Sequence, residues 1–126
     1  MDFFTILFIA FGGAIGAVSR YFTAVLVYQW LGEGFPYGTL LVNVLGSFAI
    51  GLISELLQQR VWDDTQWRAF LIIGCLGAFT TFSSFSMDTL SLMENGQLGL
   101  AGLSIVLNVC LCLIAVYMGC LIARII

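Results

Sequence analysis

Four long apolar runs alternate with short polar breaks along this chain. The first covers roughly 3–30 and is interrupted only by Arg20. The second covers roughly 37–58 and is uncharged until Glu55. The third covers roughly 68–92 and is uncharged from Ala69 to Met87. The fourth, roughly 98–123, is uncharged throughout. About 20 apolar residues cross a bilayer as a helix, so each run predicts a transmembrane helix. The breaks carry turn and charge signals: Gly32-Glu33-Gly34-Phe35-Pro36, the stretch from Arg60 to Arg68, and Glu94-Asn95-Gly96. Connections this short make consecutive helices antiparallel neighbours. Pro36 suits the start of the second helix. Trp30, Trp62 and Trp67 fall at the expected interfaces, as an aromatic belt would.

Composition turns this pattern into a fold class. The chain has 126 residues, 61% hydrophobic and 9% charged, with a mean hydropathy of +1.09. Soluble domains are about half apolar and a quarter charged. Small domains bury only about 60–70% of their chain surface, so a soluble core of this size could not hide these side chains. An ordinary soluble enzyme is excluded, as is a disordered or collagen-like chain. The expectation is an all-α integral membrane protein, a single four-helix domain over 1–126.

Charge narrows the chemistry. Four arginines face seven carboxylates, with no Lys and no His, for a net charge of −3. There is no basic patch for nucleic acid. Without His the chain lacks the commonest metal ligand and near-neutral proton shuttle. Cys75, Cys110, Cys112 and Cys120 lie in apolar runs without CxxC spacing, and read as buried small hydrophobes. The first residues lack a positive n-region and an Ala-x-Ala site, so no cleaved signal peptide is expected.

With four spans, both termini and the central loop share one side. Arg60, Arg68 and Arg124 lie there, and Arg20 lies toward the other. The positive-inside rule favours a cytoplasmic N-terminus, but three arginines are a thin bias, so insertion in both orientations is an expectation. Gly12, Gly13 and Gly16, then Gly46 and Gly51, then Gly74 and Gly77 predict close helix contacts; Gly12 and Gly16 form GxxxG. A single bundle of four short helices has little room for a water-filled path, and a homo-oligomer follows.

The third run carries the chemistry. Gly74 to Ser86 holds Thr80, Thr81, Ser83, Ser84 and Ser86, with Phe79, Phe82 and Phe85 at helical spacing. Gly and β-branched Thr weaken a helix. Backbone freed inside a membrane is tolerated only within protein or beside a cavity. Freed carbonyls suit a cation and freed N–H groups an anion. Equally, the hydroxyls could bond back to their own helix. Asn43 is the strongest polar residue of the membrane interior, with Ser47 one turn on. It either glues two helices or donates to something that passes. Ser104 and Asn108 form a second one-turn pair, with Cys112 continuing the line. Arg20 is ionisable within a span, which marks it as a functional candidate, unless it snorkels to water.

No carboxylate lies deep in a helix, and there is no Ser/His/Asp set, Walker loop or metal cluster. An enzyme is not expected. Hydroxyls, amides, aromatic edges and one arginine favour a small anion as passenger.

Three motifs then point to a family. Gly12-Gly13-Ala14-Ile15-Gly16-Ala17-Val18-Ser19-Arg20-Tyr21, Gly38-Thr39-Leu40-Leu41-Val42-Asn43-Val44-Leu45-Gly46-Ser47-Phe48 and Thr80-Thr81-Phe82-Ser83-Ser84-Phe85-Ser86, in this order on a four-helix chain, resemble the Fluc (CrcB) fluoride channels. The likeness covers essentially the whole chain. It implies an antiparallel, dual-topology homodimer in the inner (plasma) membrane, with two pores that passively export F⁻. By this likeness Phe82 and Phe85 are aromatic-box residues whose ring edges face the ion, and Asn43 donates to fluoride. Ser104 and Asn108 match a polar track, Ser84 belongs to the pathway, and Arg20 lines a vestibule. A broken third helix would present the carbonyls of Gly77 and Thr80 to a structural Na⁺ at the dimer interface, leaving Phe79 to packing. Cys112 departs from the track as a weaker donor than a hydroxyl. Two competing readings are a small proton-coupled multidrug-type exporter and a structural membrane subunit. The first resembles exporters with a central glutamate in the first helix, where this chain has no acid beyond Asp2. The second would need no polar ladder.

Overall fold

The computed structural model describes residues 2–59 and 65–126; Arg60 and Trp62 lie outside them. Four helices are long and apolar enough to span a membrane. The first, α1 (Phe3–Leu31), begins where Asp2 Oδ1 accepts the Phe4 N–H at 3.4 Å. It stops at Gly32, whose φ of 78° suits glycine. α2 (Tyr37–Gln59) starts directly after Pro36, whose carbonyl accepts the Leu40 N–H at 3.0 Å. After a tight turn through Asn95 and Gly96 comes α6 (Leu98–Ile125).

The third span, Thr65–Glu94, is composite. It opens with α3 (Thr65–Arg68), widens into a π-helical segment (Ala69–Leu76), returns to α geometry in α4 (Gly77–Phe79), and resumes as α5 (Phe82–Glu94). Between α4 and α5 the chain bends: Thr80 (φ −80°, ψ 158°) and Thr81 (φ −152°, ψ 113°) are extended.

Lipid offers no hydrophobic drive between helices, so close packing must hold them. α2 lies against α6, and α1 against the π-helical segment. Glycines make both approaches possible. A Cβ on Gly12 would strike the Phe70 carbonyl, and one on Gly16 the Cys75 carbonyl. On the other pair, Gly51 meets the Val116 carbonyl and Gly119 that of Phe48. Two expectations need correction. Gly13 faces open space, and Gly77 has room for a side chain, 3.5 Å from the Ile72 carbonyl; neither is needed for close packing, because their helix faces turn away from the partner backbone. Nor is Cys110 buried: it is exposed, on the outward face of α6, while the other three cysteines are half-buried.

At most 17% of the most apolar stretch of any span is buried. Large apolar faces are therefore left for lipid or another chain. Trp30 and Trp67 are exposed near helix ends, where amphipathic rings favour the membrane–water boundary.

Candidate functional site

The bend at Thr80–Thr81 is where the polar side chains of the interior converge. In a continuous α-helix the Thr81 N–H would close on Gly77 O, and the Ser84 N–H on Thr80 O. Neither does so. The Thr81 N–H donates to Asn43 Oδ1 at 2.7 Å, and the Ser84 N–H donates to Thr81 Oγ1 at 3.1 Å. Thr81 thereby caps α5, as a Thr at this position does. Its hydroxyl also lies 3.0 Å from Ser84 Oγ and 3.2 Å from Ser83 Oγ. Both carbonyls are released from the helical ladder, and Arg20 Nη1 reaches Thr80 O at 3.4 Å.

Asn43 holds the other side of the bend. Its Nδ2 donates to Thr81 O at 3.0 Å and to Asn108 Oδ1 at 3.1 Å. Asn108 in turn donates to Ser104 O at 3.1 Å, one turn back on α6. Gly46, one turn after Asn43 in sequence, lets Thr80 in: a Cβ there would overlap Thr80 Cγ2, and the Phe79 ring lies 3.3 Å from that point.

These residues border a cleft of about 400 Å³ between α2, the bend and α6, lined by Asn43, Ser47, Thr80, Thr81, Phe82, Phe85, Asn108 and Cys112 among others. The two rings stand 5.3 Å apart, centroid to centroid, tilted by 62°. Phe85 is buried, whereas Phe82 is 77% exposed along the open side of the cleft. No lining side chain is ionised. What the cleft can offer is amide and hydroxyl donors, N–H groups of the first turn of α5, and ring edges, which carry the positive part of the aromatic quadrupole. A larger groove of about 610 Å³ along α1 and α2 has an almost wholly apolar lining, and so gives an ion nothing.

The structure thus brings together Asn43, Asn108, Phe82 and Phe85. Ser84 sits behind the bend on the Thr81 hydroxyl. Arg20 is turned onto the Thr80 carbonyl. Ser104 is fully buried outside the cleft, its hydroxyl 3.4 Å from Thr89 Oγ1. Two participants escaped the sequence reading. Thr81 was one hydroxyl among five, with nothing to mark it as the hub. Thr39 was only a motif letter, yet its hydroxyl donates to Asp88 Oδ2 at 2.6 Å. Among the described residues no cluster of three or more His, Cys, Asp or Glu side chains could hold a metal.

Comparison with known proteins adds a family to this geometry. The family model described as "CrcB-like protein, Camphor Resistance (CrcB)" matches residues 7–120. The chain is 49% identical over 121 residues to the "Fluoride-specific ion channel FluC" of Magnetococcus marinus, covering 96% of this chain and 98% of that one. To the protein of the same name from Photobacterium profundum it is 50% identical over 120 residues, 94% of each. For Shewanella amazonensis the figures are 50% over 114 residues, 90% and 91%. With one family matched across nearly every residue that builds the four spans, this chain belongs to the CrcB family.

Proposed function

We propose that this protein is a passive, fluoride-selective channel that lets F⁻ leave the cytoplasm and so relieves fluoride toxicity. The observation that carries this reading is the cleft: amides, hydroxyls and two phenylalanine rings meet inside a membrane span with no ionised side chain among them. Relatives about half-identical over 94–96% of the chain bear the name of fluoride-specific channels.

The chemistry suits the passenger. Fluoride is small and strongly hydrated, so a pore must replace lost water with donors and still bind weakly enough for exit. Neutral N–H and O–H donors do this without a fixed charge. Ring edges add weak positive potential.

The working unit in this reading is an antiparallel homodimer with two pores, inserted in both orientations in the inner membrane. Support comes from the open flank of the cleft. A polar groove facing hydrocarbon costs several kcal/mol per unmet group, and a second copy would cover it. The third helix is in this reading a broken one, with the bend as its functional centre.

The bend also fits a structural Na⁺. Gly77 O and Thr80 O have both lost their helical donors to side chains of Asn43 and Thr81. Neutral oxygens are what a hard cation takes. Those two carbonyls would hold the ion, which supplies a positive anchor between protomers. The Arg20 guanidinium is the competing cation on Thr80 O.

The deciding experiment uses purified protein in liposomes loaded with KF, with external fluoride followed by an electrode. Adding a K⁺ ionophore should release fluoride at once. Absence of release from folded protein would overturn the channel reading.

A further inference from the structure

Two ladders of different step meet where α1 packs on the third span. On α1 the contacts fall at Gly12, Gly16 and Arg20, each four residues after the last. Across from them stand the carbonyls of Phe70, Cys75 and Thr80, each five residues after the last. A Cβ on Gly12 would strike Phe70 O, and one on Gly16 would strike Cys75 O. Arg20 Nη1 reaches Thr80 O at 3.4 Å.

Only a change of winding lets these steps match. Four residues of α-helix return to within about 40° of the same face, which suits α1. Five residues overshoot a full turn by about 140°, so in an α-helix Phe70 O and Cys75 O could not both face α1. In a π-helix each N–H bonds the carbonyl five residues back, and residue i+5 stands over residue i. That is the winding of Ala69–Leu76, and the Gly77 N–H that follows it reaches Ile72 O, shared with Gly74 O. At Thr80, whose N–H meets Leu76 O at 3.1 Å, the four-residue step has returned. The third span thus carries one surplus residue between its two glycine contacts. Ile73 is turned outward in that step, 59% exposed, while a Cβ on its neighbour Gly74 would meet Gly12 Cα and Ile9 O, each at 2.9 Å.

We infer that the π winding is a register device: the glycines of α1 hold it, and it sets the direction in which the bend at Thr80–Thr81 leaves the segment. Gly16 is then a positioning residue that acts on the path through the winding of its neighbour. The winding stands apart from the channel reading; its consequence for flux rests on that reading.

The test separates register from packing. Winding is read in bilayers by the nuclear spin coupling across the hydrogen bond from Gly77 nitrogen to the Ile72 carbonyl carbon, and flux by fluoride efflux from liposomes. Gly16→Ala should shift that coupling from Ile72 to Ile73, the α partner, and slow efflux. Gly51→Ala, which crowds the contact of α2 with α6, should leave the coupling on Ile72. Deleting Ile73 shortens the step to four, so α winding keeps both carbonyls on α1. This deletion variant should fold, keep Gly77 coupled to Ile72 across what is now an α turn, and keep efflux within about threefold of the wild type. Deleting Val106, an equally exposed residue of the continuous α6, turns everything after it by about 100° and should cost folding or flux. A folded Gly16→Ala whose coupling stays on Ile72 would overturn the inference. So would an Ile73 deletion that does not fold or does not conduct, or a Val106 deletion tolerated as well. Should Gly16→Ala not fold, the two deletions decide. A wild type that passes no fluoride would instead sink the channel reading, with the Gly77 coupling still reporting on the winding.

Discussion

Thr39 and Asp88, 49 residues apart, are joined by a hydrogen bond of 2.6 Å that ties the first turn of α2 to the middle of α5. Thr39 is buried, at 7% exposure, so a lost partner leaves its hydroxyl stranded. Asp88→Ala should lower stability by about 1–3 kcal/mol, and Thr39→Val by a similar amount. The double variant should cost less than the sum, because neither group is then left unmet. Unfolding in detergent micelles, followed by tryptophan fluorescence, measures this. Strict additivity would break the pairing.

Gly46→Ala should injure the bend. The added methyl would overlap Thr80 Cγ2, and overpacking of this kind costs about 1–3 kcal/mol. Thr80→Ser removes the offending methyl and keeps the hydroxyl that donates to Leu76 O at 3.0 Å. Fluoride efflux should therefore fall in Gly46→Ala and recover in Gly46→Ala with Thr80→Ser. No recovery from folded protein would contradict the contact.

The contact between α2 and α6 depends on Gly51 and Gly119, each facing the partner backbone. Backbone cannot step aside as a flexible side chain can. Gly51→Ala and Gly119→Ala should each destabilise by about 1–3 kcal/mol, whereas Gly13→Ala, with nothing within 4 Å, should be near neutral. Thermal aggregation midpoints of the three variants rank them directly.

Phe82→Ile should slow fluoride efflux, since an aliphatic group has no positive edge to offer. An aromatic contact is worth about 0.5–1.5 kcal/mol beyond its area, which corresponds to about two- to tenfold in rate. Phe79, whose ring packs beside Gly46, should tolerate Leu with efflux within about twofold of the wild type. Equal effects at 79 and 82 would undo the distinction between them.

Hydrophobic runs announced the four spans because a bilayer demands about 20 apolar residues in a row, and that demand is written locally. Asn43 was legible for the same reason, as an amide where hydrocarbon is expected. Its partner was not. Periodicity gives the face of a helix and not what lies across from it, and Thr81 is 38 residues away. The GxxxG pair Gly12 and Gly16 predicts a close approach that the structure contains, yet Gly119 packs as closely without such a pattern and Gly13 does not, since glycine type alone does not tell which side faces a neighbour. Nothing in the run Ala69–Leu76 signals a π-helix. Its hydrophobicity suits either winding, and the choice between them rests on contacts with other parts of the fold. The spacing of Ser104 and Asn108 fits a polar ladder or contacts between helices equally, and only the structure shows the Ser104 hydroxyl meeting Thr89 of α5.

The uncharged lining of the cleft bears on how the protein responds to voltage. A full charge moved across the membrane field gains or loses about 2.3 kcal/mol per 100 mV, and that is the lever by which voltage opens other pores. Asn43, Thr81, Phe82, Phe85 and Asn108 give it nothing to pull on. The potential then acts on the anion and not on these side chains, so any voltage-dependent opening would have to work through a charge outside the lining, such as Arg20 on the Thr80 carbonyl.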